Sequence, residues 1–460
     1  MGRGTEATTA PATTAPAVRG WPLIGPVREV HQDLLGVYER AERECGDVAR
    51  LVTGLPPVRG VVHLVMHPDG MRHVLAAGGR DYGKDSPAYE ELRAYIGSGL
   101  LTSQDEDWER QKRLIQPLFT PRRVAGYAAV MAEESERLVD ELRPSALAGK
   151  PVGLQAAAMT YTLRVVGRLL FGDALDKVLD VLRGSWEPLQ RHMVFRGVAP
   201  RRLPRDWPTP GGRRAKRAQR ALYDAVDGVI ARAAPDGDAT EVRDLLTLLL
   251  RARDPADGSA LSPGEVRDQV LVFLLAGHET TASALTFTLH LLGRHTEVQD
   301  HVREEAREGL GDPARALPYT RQVVQEGMRL YPPVCHIPRN ARRDDVVMGH
   351  LVRAGEAVVL PVWVVHRDPR WWPDPLRFDP DRFAHAAAGR HRRYAYLPFG
   401  GGPRACIGAQ FALLEASILT ATVVRAFGLT SDPTLPPLFA GITLRPKGPV
   451  RARLELLDRG

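Results

Sequence analysis

The feature that most constrains this 460-residue chain is a short loop near its end, Phe399-Gly400-Gly401-Gly402-Pro403-Arg404-Ala405-Cys406-Ile407-Gly408. Three consecutive glycines and a proline keep the backbone open and non-helical. A helix-forming, apolar-rich run starts just past the cysteine, and a helix is predicted from Ile407 to Phe427. Cys406 is thereby expected at a helix N-terminus, where unpaired N–H groups and the helix dipole favour a thiolate. A lone cysteine is ordinarily a small buried hydrophobe, and Cys45 and Cys335 are read that way. Near Cys406 no second Cys or His stands at zinc spacing. The loop also offers no His or Asp to activate a nucleophile.

The longest predicted helix runs from Pro263 to Arg294. Ser262 and Glu265 form a Ser-x-x-Glu capping box, and Pro263 suits the first helical position. The stretch Leu271 to Leu275 is apolar on every face, which predicts a helix buried through the middle of the protein. Ala276-Gly277-His278-Glu279-Thr280-Thr281 interrupts it with polar groups. Further helices are predicted over Trp108 to Leu118, Tyr127 to Arg143, Leu154 to Phe171, Arg213 to Ala234, Thr296 to Leu310 and Tyr319 to Leu330. Val61 to Met66 reads as a buried strand. Val346 to Val365 reads as strands broken at Gly349 and Gly355. The expected fold is therefore mainly α with a small β region.

Phe399-x-x-Gly402-x-Arg404-x-Cys406-x-Gly408 resembles the haem-binding loop of the cytochrome P450 monooxygenases. The resemblance runs from about Trp21 to the C-terminus. It implies the triangular fold of that family, with haem b between the long central helix and the cysteine-loop helix, and iron bound axially by Cys406. Gly402 and Gly408 would let the flat macrocycle approach the backbone, beside Phe399, while Arg404 reaches an anionic edge group. Trp108-x-x-x-Lys112 is similar to the family's Trp-x-x-x-Arg pair at a haem propionate, with Lys in place of a guanidinium fork. Arg339 matches another propionate-binding position. Glu326-x-x-Arg329 resembles the family's Glu-x-x-Arg pair, and Arg382 matches its third, structural member.

Ala276-Gly277-x-Glu279-Thr280-Thr281 resembles the family's oxygen-activation sequence, which makes Thr280 and Glu279 the expected proton-delivery residues. Gly277 costs about 1 kcal/mol in a helix interior, and a locally widened turn holding O₂ and water would account for it. His278 is expected to ligate nothing. The resemblance implies a monooxygenase oxidising a lipophilic natural product of terpene, fatty acyl or polyketide class. A peroxide-driven or isomerising haem-thiolate enzyme is the alternative, although such enzymes normally lack the Glu279-Thr280 pair. A non-catalytic haem sensor would need neither the relay nor an apolar pocket.

Composition closes off other classes. The chain has 62 Lys plus Arg against 55 Asp plus Glu, a net charge of +7. The arginines are dispersed, without the clustered basic and aromatic runs of nucleic-acid modules. Three cysteines build no disulfide framework. Residues 1–20, rich in Thr, Ala and Pro, read as a disordered leader ahead of a single catalytic domain over 21–460. The longest apolar runs, Val270 to Ala276 and Ala357 to Val365, fall short of the ~20 residues of a membrane span, so a cytoplasmic monomer is expected. No dinucleotide fingerprint is present, so electrons are expected from ferredoxin and ferredoxin reductase. Docking is assigned to Arg110, Arg113, Arg390, Arg392 and Arg393. The substrate pocket is assigned to parts of 82–101, 186–202, 273–276, 334–337 and 439–442.

Overall fold

The computed structural model describes residues 12–21, 25–54, 60–172, 181–182, 184–185, 188–189, 191–193, 196, 204, 207, 209–233, 244–309, 317–384 and 393–457. The fold is mainly helical with a smaller β component. Its internal contacts divide the chain into two units. One comprises Met1–Ser86, His336–Pro375 and His391–Ala405; the other comprises Pro87–Cys335, Leu376–Arg390 and Cys406–Gly460.

The smaller unit is built on a five-stranded sheet in the order Val48–Thr53, Gly60–Val65, Ala357–Leu360, Ile337–Ala341, Tyr82–Gly83. The pair Gly60–Val65 and Ala357–Leu360 is parallel and the other neighbours are antiparallel. The expected strand at Val61 to Met66 is therefore present. The run from Val346 to Val365 divides further than expected. Asp345–Val347 and His350–Val352 form a hairpin, Ala357–Leu360 joins the main sheet, and Val362–Val365 is a helical turn. Pro361 explains the last departure: its carbonyl accepts from the Val364 and Val365 amides at 3.2 and 3.4 Å, which closes a turn where β-branched residues suggested a strand.

The expectation of disorder fails for residues 12–20. The Val18 amide donates to the Arg50 carbonyl at 2.9 Å, and the Arg50 amide donates to the Pro16 carbonyl at 2.8 Å. Arg50 Nε donates to the Ala15 carbonyl at 2.7 Å, and Ala15 and Val18 are buried. A Pro-rich extended segment is already straight, so the sheet edge needs only its carbonyls and two small apolar side chains. Residues 1–11 lie outside the described residues.

In the larger unit the central helix runs Pro263–Leu292, with both halves of the predicted capping box formed. Leu271, Val272, Leu274 and Leu275 are buried, each contributing about 1.5–3 kcal/mol. The helix stops two residues before the predicted end, where Gly293 meets Ser431 so closely that a Cβ would lie 2.5 Å from its hydroxyl. Two neighbours also approach within a methyl group. A Cβ on Gly277 would lie 2.9 Å from Val166 of the helix Leu154–Phe171, and one on Gly327 of Pro318–Leu330 would lie 2.5 Å from Thr288. The cysteine-loop helix occupies Ala409–Ala426. By length and composition this helix and the central one are apolar enough to cross a membrane, but most of each is buried inside the protein. Val152–Gly153, Arg451–Leu456 and Phe427–Ser431 form a three-stranded sheet, and Leu438–Ala440 pairs with Leu444–Pro446.

Candidate functional site

Cys406 lies two residues before Gly408, the N-cap of the cysteine-loop helix. The Gly408 amide donates to the cysteine sulfur, an interaction that favours the thiolate, but burial outweighs it and pushes the thiol up. A bonded metal ion would add to the amide's effect and favour the thiolate. The side chain is nonetheless exposed. A Cβ on Gly408 would stand 3.9 Å from Cys406 Sγ and 4.0 Å from Phe119, ordinary contact distances, so the glycine there serves the cap geometry.

In the smaller unit the loop leading to Cys406 is fixed from several directions. Gly400 and Gly402 have φ of +70° and +68°, a region that side chains rarely enter. A Cβ on Gly402 would lie 1.9 Å from the carbonyl oxygen of Leu75, in the π-turn His73–Ala77. Gly402 is thus required by backbone packing. The Leu397 amide donates to His366 Nε2 at 2.8 Å within the core. Phe399 and Arg404 are half-buried, Arg404 ending a 3₁₀ turn.

The central helix is continuous α through Ala276–Thr281, so the widened turn expected at Gly277 is not formed. Gly277 is explained by the close approach of Val166. Ala276, by contrast, is exposed in the middle of a helix whose neighbours Leu274 and Leu275 are buried. Phe273, Ala276, Gly277 and Thr280 recur at i, i+3, i+4 and i+7 and share a face. Phe119 stacks edge-on against Phe273 and against Phe411 of the cysteine-loop helix, with centroids 5.5 and 6.5 Å apart. This aromatic bridge ties the face bearing Ala276 and Thr280 to the helix that follows Cys406. The Thr280 hydroxyl donates to the Ala276 carbonyl at 2.5 Å, so its lone pairs stay available to accept. Glu279 is buried. His278, pushed down to about 4 by burial, is neutral at pH 7.

Glu326 and Arg329 form a fully buried fork, Nε to Oε2 at 2.7 Å and Nη2 to Oε1 at 2.8 Å. Arg382 Nε stands 3.5 Å from Oε1, and the Asp379 amide donates to the same oxygen at 3.0 Å. The three residues expected to meet do so. Burial pushes the Glu326 carboxyl up, and Arg329, through two short charge-assisted bonds, opposes it. Lys112 Nζ sits 5.0 Å above the Trp108 ring, joining two more of the expected residues. Arg339, in the smaller unit, is only 7% exposed. Its Nη1 donates to the Pro338 carbonyl at 2.8 Å, and no carboxylate pairs with it among the described residues. A buried guanidinium in that state calls for an anion.

Comparison with known families matches Cytochrome P450 over residues 16–450. The chain belongs to the cytochrome P450 family. Curated relatives include cyclooctat-9-en-7-ol 5-monooxygenase of Streptomyces melanosporofaciens, 34% identical over 430 residues that cover 92% of this chain and 91% of that protein. Cyclooctatin synthase of the same organism is 33% identical over 87% of this chain and 85% of its own length. The crystal structure of the cytochrome P450DA haem domain superposes with a TM-score of 0.84 at 26% identity, covering 98% of this chain and 99% of that one. This P450 is an oxidoreductase.

Two groups were misread or missed from sequence. Arg110 and Arg113 are not free docking cations: Arg110 pairs with Glu265, and Arg113 holds buried Asp254 with bonds of 3.1 and 2.7 Å. Their partners lie far away in sequence and could not be read locally. Of the other assigned arginines, Arg393 is exposed, while Arg390 and Arg392 lie outside the described residues, as do most of residues 186–202. Glu415, nine residues past Cys406 in this P450, was overlooked. It is fully buried, and burial pushes its carboxyl well above the ordinary range, with the Thr281 hydroxyl opposing. Neither oxygen has a well-formed hydrogen bond among the described residues. A lone acidic residue in the apolar run 411–424 was the available signal.

Proposed function

We propose that this P450 is a haem-thiolate monooxygenase that uses O₂ and externally supplied electrons on a lipophilic, terpenoid-like natural product. The observation that carries the reading is Cys406, accessible on a glycine-shaped loop, with the Gly408 amide aimed at its sulfur. The residues fit haem b. In the larger unit the open surface at Ala276 and Cys406 suits a flat macrocycle, and in the smaller unit the buried Arg339, without a carboxylate among the described residues, suits an anionic group. Cys406 would hold the iron through its sulfur, Arg339, Arg404 and Lys112 would bind the propionates, and Phe399, Gly402, Gly408 and Trp108 would contribute to cofactor binding. Bound there through a thiolate, haem supplies oxygen activation by O–O cleavage.

The chain's own share is placement and proton control. Thr280, with its proton committed to Ala276, would accept a hydrogen bond from an oxygen species at its hydroxyl. Glu279 would resupply the proton. Glu326, Arg329 and Arg382 would hold the helix below the site at a fixed distance. Ferredoxin with its reductase is the proposed electron source. The names of the two Streptomyces relatives, which refer to cyclooctat-9-en-7-ol and cyclooctatin, support the terpenoid-like class over fatty acyl or polyketide substrates.

The test is optical. Reduced, carbonyl-bound protein should show the red-shifted Soret band of sulfur ligation, and Cys406→Ser should abolish it; an unshifted band in the parent protein sinks the proposal. Product formation with NAD(P)H, ferredoxin and reductase, set against peroxide alone, separates the monooxygenase from the peroxide-driven alternative.

A further inference from the structure

In the smaller unit the helix Pro68–Arg72 runs into a π-turn, His73–Ala77, in which the Gly78 amide donates to the His73 carbonyl at 2.7 Å, five residues back. The sequence His73-Val74-Leu75-Ala76-Ala77 holds no Gly or Pro and is rich in good helix formers, so its local preference is ordinary α-helix. A π-turn is rare, is usually confined to a single turn and recurs at functional sites. Contacts from outside the helix must therefore hold this one.

Those contacts come from two other segments of the same unit. His73 Nε2 stands 2.7 Å from Asp345 Oδ2 in the hairpin strand Asp345–Val347, and the Tyr82 hydroxyl donates to the same oxygen at 2.7 Å. An ionised carboxylate only accepts, so His73 is the donor there. The Val346 amide donates to the other carboxylate oxygen at 2.8 Å. The His73 and Tyr82 rings meet edge-on with centroids 6.5 Å apart. Burial raises the Asp345 carboxyl, but the bonds from His73, Tyr82 and Val346 outweigh it and hold it below the usual range. The turn also receives the cysteine loop. A Cβ on Gly402 would lie 1.9 Å from the Leu75 carbonyl oxygen and 3.3 Å from Ala76 Cα, so the loop backbone is seated on the turn without clearance.

We propose that His73, Tyr82 and Asp345 are positioning residues for the cysteine loop: they hold the π-turn, and the turn sets where the backbone leading to Cys406 runs. The link passes from Asp345 to His73, through the turn to Leu75, and from Leu75 to Gly402, which begins the 3₁₀ turn Gly402–Arg404. With the cluster broken, the turn relaxes toward α. Each residue of α-helix rotates the chain by about 100° and advances it by about 1.5 Å, so the Leu75 carbonyl leaves its place against Gly402. A glycine at φ of +68° has no side chain to anchor it, and its position follows from what it rests on. Charge-assisted bonds onto one carboxylate are directional and strong, which suits an anchor better than apolar packing. The spectroscopic consequence rests on the haem-thiolate reading, whereas the mechanical link stands without it.

The experiment compares the haem-loaded parent with Asp345→Ala, Tyr82→Phe, His73→Ala and His73→Gln. It follows amide hydrogen exchange, the haem reduction equilibrium and the spectrum of the reduced carbonyl adduct, with melting curves to verify folding. Exchange over 73–79 and over 397–405 should quicken together, by about tenfold or more in Asp345→Ala and His73→Ala and less in Tyr82→Phe. The reduction equilibrium should shift by about threefold or more in the first two, and part of their carbonyl adduct should lose the red-shifted band. His73→Gln, whose side-chain amide can donate to Asp345, should restore all three readouts. The control Glu356→Ala removes the partner of His63 Nε2, a 2.8 Å contact elsewhere in the same unit, and should lower melting while leaving 397–405 and the reduction equilibrium as in the parent. Quickening confined to 73–79, equal changes in the control, or no rescue by His73→Gln would each overturn the proposal. A parent without the red-shifted band would sink the haem-thiolate reading instead, and the exchange comparison would still decide the positioning role.

Discussion

Arg329 and Arg339 are both buried guanidinium groups, and they live in opposite ways. Arg329 is gripped by both oxygens of Glu326 and donates to the Arg377 carbonyl at 3.1 Å. Arg339 has one backbone carbonyl for company and no carboxylate among the described residues. A buried charge that brings its counter-ion along makes a rigid strut. One that arrives alone is stable only when something else supplies the negative charge. The contrast separates a residue that serves the fold from one that awaits a bound group.

The sharpest way to break this contrast is to remove Glu326. Glu326→Gln leaves Arg329 charged in the core and should cost about 3–5 kcal/mol, seen as a large fall in melting temperature and in the yield of coloured protein. Arg339→Ala should instead leave melting close to the parent while haem escapes roughly tenfold faster to an acceptor protein, with Arg339→Lys in between. Equal melting losses in the two variants would erase the distinction.

Histidines extend the comparison to protons. His278, His290 and His336 are pushed down to about 4 by burial. Each holds fewer protons in the folded state than in the unfolded one, whose value lies near 6.5. Stability should therefore fall as pH drops from 6.5 toward 4 and level off below, by up to about 3 kcal/mol per histidine, as urea titrations across that range would record. Thr280→Ala should lower product per NAD(P)H by about tenfold or more while shifting melting little, and Thr280→Ser should restore coupling. The smallest effect belongs to Glu415. Its raised carboxyl is favourable below about 4.5 and a burden above it, so Glu415→Gln should stabilise the protein at pH 7 by about 1 kcal/mol, and a lower melting temperature would refute that reading.

What could be read from sequence was what neighbours along the chain determine. Ser262 and Glu265 announce a helix start because cap and partner are three residues apart. Leu154–Phe171 was legible from its apolar spacing, and the Cys406 loop from its glycines. The rest depends on distant meetings. Val48–Thr53, interrupted by Arg50, and Ile337–Ala341, with Pro338, Arg339 and Asn340 inside it, lack an apolar run and become strands only by pairing with segments elsewhere in the chain. Arg110 reads as a surface cation until Glu265 arrives from 155 residues away. Gly277 is ambiguous until Val166 is seen against it.

That last contact has a consequence for engineering. With a neighbouring helix seated less than a methyl's width away at Gly277, and another at Gly327, the central rod cannot roll or slide to admit a bulkier guest. Accommodation of new molecules must be sought in other walls. Libraries that leave 277 and 327 untouched should lose far fewer members to misfolding.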